Sequence, residues 1–147
     1  MNALKRKQVV KLARIARKTA EKIAKEENLP NKLNGMCARA SAILFRLLKS
    51  KGFTPSICFG HCHCFIEIED LVVDVTASQF GYGRIMIVSR AKILTVLNPK
   101  HQHAFISNNS HWSYSTLHKY KSIRSAKAHQ GRWSWPPEQT IGKEDFI

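Results

Sequence analysis

Apolar residues recur at three- and four-residue steps in two segments of the chain, which predicts two amphipathic helices. The first helix is predicted over about residues 3–27, and residues 28–31 end it. The second is predicted to begin at Cys37 and to run to Lys51, with Gly52 where a C-terminal cap belongs. One stripe of the second helix is expected to face the core, and it contains Cys37, Ala40, Ser41, Leu44, Leu47 and Leu48.

After the second helix the apolar residues fall in short runs bounded by turn residues, which is typical of strands. Residues 63–68 and 71–76 predict a hairpin whose strands are joined by a two-residue turn. In that register His63 and Asp74 lie on the same face of the sheet, at diagonal positions about 7–8 Å apart at the backbone. A turn longer by one residue would place them on opposite faces.

Cys37, His63 and Asp74 are the residue types that nucleophilic thiol catalysis requires, and they occur in this order within 38 residues. The unpaired N–H groups and the positive dipole end of a helix favour a thiolate at Cys37. A nearby imidazole completes the activation of the thiol, and a carboxylate holds the imidazole in the required tautomer. We therefore predict a catalytic triad. The alternative is a buried cysteine, a core histidine and an aspartate near a turn.

The residues that flank this triad carry a resemblance to a known group of enzymes. The chain has Cys37 at a helix start, then His63-Cys64-Phe65-Ile66-Glu67, then Asp74-Val75-Thr76. Over about residues 33–80 this ordered set resembles the transglutaminase-like and papain-like cysteine enzymes. It departs from them at Phe65, where a tryptophan is usual, and it lacks the upstream glutamine of the papain-like oxyanion hole.

The resemblance implies an α+β fold in which N-terminal helices pack on a small antiparallel sheet. The helix that begins at Cys37 is expected to lie against the strands that carry His63 and Asp74. It implies a protease, amidase, deamidase or transglutaminase that acts on an amide bond through a thioester. Neither a metal nor an organic cofactor is required for this chemistry. An inactive domain of this type, used for protein interaction, is an alternative that the complete triad disfavours.

The oxyanion partner is left open by the sequence. The backbone N–H of Cys37 is the natural first donor. A second donor is expected from Asn31 or Asn34 just upstream, or from Gln79 beyond the strand that carries Asp74. Asn34 is equally explained as part of a turn with Gly35, and Gln79 as an amide in a surface loop.

Cys58, His61, Cys62, His63 and Cys64 fall within seven positions, and thiolates with imidazoles are the usual zinc ligands. In a strand, however, the cysteines of residues 62–64 would point to one face and the histidines to the other, so one tetrahedral site could not form. We therefore predict no metal site, and small, half-buried strand residues at the three cysteines. Four cysteines without a secretory signal predict a reducing, cytoplasmic setting.

The length of 147 residues and the hydrophobic fraction of 44% predict one domain with a buried core. It divides into a basic helical segment of about residues 1–30, a catalytic core of about 31–98 and an aromatic- and basic-rich extension of about 99–147. Within the core, residues 84–88 predict another strand and residues 91–97 a strand or a short helix. No apolar run reaches 18 residues, so no membrane span is predicted.

The net charge of +14 is unevenly distributed. Residues 1–51 carry 14 Lys and Arg against three Glu, residues 52–98 carry three against four acidic residues, and residues 99–147 carry seven against three. This balance predicts an acidic protein or peptide as substrate, with nucleic acid as the alternative partner. The cations expected to cover the surface of the first helix are Lys5, Lys7, Lys11, Arg14, Arg17, Lys18, Lys22 and Lys25.

The extension from His101 onward mixes histidine, serine and lysine with aromatic residues. Two interpretations stay open. Basic residues interleaved with aromatic residues suit single-stranded nucleic acid, which would make the protein a nucleic-acid-binding module. We favour the other interpretation, an irregular flap over the active site.

Overall fold

The computed structural model describes residues 1–29, 33, 35–106 and 117–135. The long helices are α1 Ala3–Glu26 and α2 Cys37–Ser50. The strands are β1 Ser56–Gly60, β2 His63–Ile68, β3 Leu71–Asp74, β4 Met86–Ser89 and β5 His118–Tyr120. Short helices follow at α3 Ile93–Val96, α4 His103–Ile106 and α5 Ile123–His129, with 3₁₀ turns at Ala77–Phe80, Arg90–Lys92 and Pro99–His101.

The five strands form one antiparallel sheet in the order β4-β3-β2-β1-β5. Helix α2 packs on β1 and β2, and α1 packs on α2. The prediction of an α+β fold with N-terminal helices on an antiparallel sheet is therefore confirmed. Among the helices of the described ranges, none has both the length and the apolar character that crossing a membrane requires.

Both faces of the sheet are buried, and each has its own hydrophobic core. The helical face is filled from α1, α2 and the inward residues of the central strands, with Leu12, Leu44 and Ile66 as examples. The opposite face is covered by α3, α4 and the 3₁₀ segments, which bury Phe65 and Phe105. Each such large apolar side chain contributes about 1.5–3 kcal/mol when it is removed from water. Two covered faces hold the central strands rigidly, which is what a site on those strands requires.

Helix α2 has the ends that its sequence predicts. Cys37 is its first residue, and every residue of the predicted core-facing stripe is buried. At the other end Gly52 has φ +85°, a left-handed conformation that favours glycine. The N–H of Gly52 donates to the Lys49 carbonyl at 3.1 Å, and the N–H of Phe53 donates to the Leu48 carbonyl at 3.1 Å. Packing and capping together fix the start of α2, and therefore Cys37, against the sheet.

The hairpin of β2 and β3 has the predicted two-residue turn. Ile68 pairs with Leu71, and the register continues to Ile66 with Val73. Glu69 in the turn has φ +53°, which a tight hairpin connection requires. The prediction that His63 and Asp74 share one face of the sheet depends on this register, and the register is confirmed.

The prediction of an irregular flap is wrong for residues 118–120 and 123–129, because they form β5 and α5. Strand β5 pairs with β1 at the edge of the sheet, and Trp133 and Trp135 pack on Phe59 at ring distances of 5.6 and 5.8 Å. A three-residue strand is too short to show an alternation of polar and apolar residues, so no local pattern predicts β5. Residues 107–116 and 136–147 lie outside the described residues.

Candidate active site

His63 and Asp74 form a fully buried pair at the ends of two adjacent strands. The Nε2 atom of His63 donates to Oδ2 of Asp74 at 2.7 Å, and neither side chain is exposed. The other carboxylate oxygen, Oδ1, accepts from the backbone N–H of Thr76 at 2.9 Å and from its hydroxyl at 3.1 Å. Because both oxygens of the carboxylate are engaged, its orientation is fixed and it fixes the imidazole in turn.

Cys37 lies beside the imidazole of His63, within its hydrogen-bonding and electrostatic range. It is 3% exposed and stands at the N-terminus of α2, whose N-cap residue Met36 provides no side-chain hydrogen bond. The positive end of the helix dipole therefore acts on the sulfur without a capping side chain from that residue. The structure thus brings together the three residues that the sequence predicts as a triad.

The protonation of His63 is governed by its neighbours. Burial alone would lower the pKa of His63, but the Asp74 carboxylate, through its charge and its hydrogen bond, and the adjacent Cys37 raise it from 6.5 to about 10. An imidazole with a raised pKa is a strong base toward the neighbouring thiol. The arrangement therefore keeps His63 as an imidazolium at neutral pH, beside the sulfur of Cys37.

Gln79 lies directly at the free edge of the imidazole. Its Nε2 is 3.3 Å from Nδ1 of His63 and donates to the hydroxyl of Thr76 at 3.1 Å. The Thr76 hydroxyl donates its own hydrogen to Asp74, so it accepts from Gln79, and this fixes which end of the amide is the nitrogen. Gln79 is half-buried, and it marks the side of the site that meets solvent. Asn31 and Asn34 lie outside the described residues.

Three aromatic rings surround His63 and keep water away from it. The ring of Phe80 lies 4.8 Å from the imidazole edge to face, that of Phe105 lies 5.0 Å away, and Phe65 stacks at 6.0 Å. Phe105 comes from α4, which approaches β1 so closely that a Cβ at Gly60 would be 1.9 Å from the carbonyl oxygen of Ala104. The low dielectric produced by these rings strengthens the attraction between His63 and its charged partners.

Arg17 is a site residue that the sequence analysis missed. It was predicted as a surface cation, but it is only 5% exposed, so that prediction is wrong. Its Nη1 donates to the carbonyls of Val75 at 3.0 Å and Arg84 at 3.1 Å, and to the hydroxyl of Ser78 at 2.9 Å. Arg17 thereby ties α1 to the segment that follows Asp74 and carries Gln79. The helical spacing does indicate this burial, because position 17 falls on the same apolar stripe as Ala13, Ala20 and Ala24.

The remaining cysteines differ from Cys37 in chemistry. Burial, with a smaller effect of Glu67, raises the pKa of Cys58 to about 12, and burial with the neighbouring Cys37 raises that of Cys64 well above its ordinary value. Cys62 was predicted to lie in a strand, and that prediction is wrong. It is exposed in the turn between β1 and β2, with φ +54°, because the strands end at Gly60 and begin again at His63.

The thiols and imidazoles of residues 58–64 are thus spread over a strand, a turn and a second strand. Within the described part of the chain, no group of three or more His, Cys, Asp or Glu side chains is placed to hold a metal ion. His61 and Cys62 form the turn between β1 and β2, so the prediction that their side chains alternate between two strand faces is wrong.

Comparisons with family models, with curated proteins and with solved structures give no match to this chain. The function is therefore inferred from the geometry and chemistry of the site.

Proposed function

We propose that this protein is a cysteine-dependent acyl-transfer enzyme with a core of the transglutaminase-like and papain-like type, acting on an amide bond. The observation that carries the proposal is the buried imidazole of His63, with its Nε2 held by Asp74 and its free edge beside Cys37 and Gln79. A merely structural histidine gains nothing from a neighbouring thiol at a helix N-terminus. The triad requires that arrangement.

The reaction follows from the positions of the protons. Nδ1 of His63 takes the proton of the Cys37 thiol, and the thiolate attacks the amide carbonyl carbon to form a tetrahedral oxyanion. The C–N bond then breaks while Nδ1–H gives its proton to the leaving amine, which leaves a thioester on Cys37. Water or a second amine, deprotonated by His63, attacks the thioester and releases the thiol. Asp74 keeps its negative charge throughout and holds the imidazole in place.

Gln79 has a position that suits stabilisation of the oxyanion. The Gln79 amide nitrogen lies 3.3 Å from Nδ1 of His63. When His63 is an imidazolium, Nδ1 carries a proton and cannot accept, so this amide N–H is available to the reacting carbonyl. Together with the backbone N–H of Cys37 this gives two donors, and loss of one such donor lowers kcat by about 10²–10³-fold in comparable sites.

The substrate class that we propose is an acidic protein or peptide. The chain carries 24 Lys and Arg against 10 Asp and Glu, and the cations of α1 border the segment that Arg17 ties to the site. Opposite charge raises the rate of encounter, and salt weakens this effect. All four cysteines are free in the structure, which fits a reducing compartment such as the cytoplasm.

Alkylation of individual cysteines tests the proposal without a known substrate. Iodoacetamide at pH about 6, followed by mass spectrometry of the peptides, is expected to label Cys37 before the exposed Cys62, and long before Cys58 or Cys64. The substitution His63→Ala should slow labelling of Cys37 by about tenfold or more, because the thiol loses its base.

The matched control for this experiment is His61→Ala, a histidine two positions away that lies 3.7 Å from the sulfur of Cys62. It should leave the labelling of Cys37 unchanged. If Cys37 reacted no faster than Cys62, or if both histidine variants slowed it equally in folded protein, Cys37 would not be an activated nucleophile and the proposed function would be wrong.

A further inference from the structure

A cavity of about 220 Å³ lies between α1 and the segment that leads into β4. Its lining combines four cationic side chains with one apolar residue, and these are Arg14, Arg17, Lys18, Arg84 and Ile85. It is separate from the thiol site, although Arg17 belongs to both. Such a concentration of cations around one concave space is unfavourable unless an anion compensates it.

The described part of the chain compensates only a small part of this charge. Among its residues, Glu21 is the one carboxylate that pairs with the lining of the cavity, and it pairs with both Arg84 and Arg17. Arg14 and Lys18 make no hydrogen bond or ion pair with any described residue, and both are exposed. Four cations against one carboxylate leave about three positive charges, which exceeds what a single carboxylate ligand would neutralise.

Arg17 gives the cavity a buried, pre-positioned donor. Its Nη1 is fully used, but its Nε is buried without a hydrogen-bond partner among the described residues and lies 3.7 Å from the Glu21 carboxylate. Burial lowers the pKa of Arg17, Glu21 opposes this, and the positive charge of Arg84 lowers it further. A bound anion would relieve the repulsion between the two guanidinium groups.

We infer that this cavity binds a phosphate group. A dianionic tetrahedral phosphate matches the excess of positive charge, and its oxygens accept from several converging cationic donors at once. Guanidinium and ammonium groups both occur in the lining, which is usual where proteins hold phosphate. The inference concerns a binding site and does not depend on the acyl-transfer chemistry of Cys37.

A second cavity, of about 560 Å³, adjoins the first and shares Arg14 with it. Its other lining residues are Ala3, Arg6, Lys7, Val10 and Lys11. It gives space next to the phosphate for the group that carries it, on a wall that is partly apolar. A nucleic acid strand on the same surface would have to extend over both cavities, whereas a single phosphate group would occupy only the smaller one. Competition between the two ligands measures this difference.

Titration calorimetry with sodium phosphate at constant ionic strength tests the inference on the full chain. We expect saturable binding of one phosphate per chain. The double substitution Arg14→Gln with Lys18→Gln should weaken it by about tenfold or more, since it removes two charged hydrogen-bond donors from the lining. The control pair, Lys49→Gln with Lys51→Gln, removes the same charge from exposed positions that line neither cavity and should change affinity less than twofold.

Two further ligands separate phosphate from its competitors. Acetate, a monoanionic carboxylate, should bind much more weakly than phosphate at the same ionic strength. A single-stranded oligonucleotide without terminal phosphate should be no tighter than phosphate and should be displaced by it. The inference is overturned if phosphate binding is not saturable, or if the two variant pairs lose phosphate affinity equally. It is also overturned if acetate binds as tightly as phosphate, or if phosphate does not displace the oligonucleotide.

Discussion

Removal of the negative charge of Asp74 should lower the pKa of His63 by an amount that can be read directly. Asp74→Asn keeps the shape of the side chain and removes its charge. The difference between about 10 and the ordinary 6.5 corresponds to roughly 5 kcal/mol in favour of the imidazolium, at about 1.4 kcal/mol for each pKa unit. Asp74 supplies the largest of the effects that raise this value, both by charge and by hydrogen bond.

The burial that opposes the imidazolium is unchanged by the substitution, because His63 remains unexposed behind its aromatic rings. We therefore expect the midpoint of His63 titration to fall by about two pH units or more in Asp74→Asn. The measurement is NMR of ring-¹³C-labelled histidine between pH 5 and 11. The resonance of His63 is identified as the one that is lost in His63→Ala.

Asp70→Asn is the matched control, since Asp70 is an exposed aspartate in the turn of the same hairpin. It should leave the His63 midpoint within about half a pH unit of the wild type, because solvent and salt screen a charge at that position. The reasoning would be refuted if the midpoint in Asp74→Asn stayed at the wild-type value, or if both variants moved it equally. Titration of the wild-type residue near 6.5 would refute it as well.

Three further outcomes follow from particular contacts. Arg17→Met should lower the free energy of unfolding by about 3 kcal/mol, because it leaves buried carbonyls without a donor. Lys22→Met, at an exposed position of the same helix, should change it little. Chemical denaturation measures both variants, and equal effects would contradict the burial of Arg17. Gly60→Ala should lower the free energy of unfolding by about 1–3 kcal/mol, because the added Cβ clashes with α4. Gly131→Ala, whose added Cβ would have its nearest contact at 3.1 Å, should lower it clearly less. Thermal unfolding that ranked the two variants in reverse would contradict this. Because the pKa of His63 is raised on folding, its contribution to stability is complete below pH 6.5 and is lost as pH rises through about 10. Chemical denaturation should thus show that the free energy of unfolding falls more between pH 6 and pH 10 in the wild type than in His63→Ala. An equal fall in both proteins would argue against the charged pair.

The sequence by itself determined the parts of this protein that depend on local spacing. The three- and four-residue apolar steps gave α2 with Cys37 at its first position, because helical periodicity places a core stripe and its tip together. The two-residue turn gave the register of β2 and β3, because side chains alternate strictly along a strand and one added residue would reverse every face. Those two patterns were sufficient to predict that His63 and Asp74 meet.

Only the tertiary structure decided which distant segments close around that triad. The burial of Arg17 depends on carbonyls far along the chain, at Val75 and Arg84, and helical periodicity gave only its position on the stripe. Phe105 reaches His63 because Gly60 allows α4 to approach the sheet, a contact between segments more than 40 positions apart in the sequence. Spacing along a chain specifies neighbours within one helix or hairpin. Contacts between distant segments depend on how whole elements pack in three dimensions, which no local pattern records.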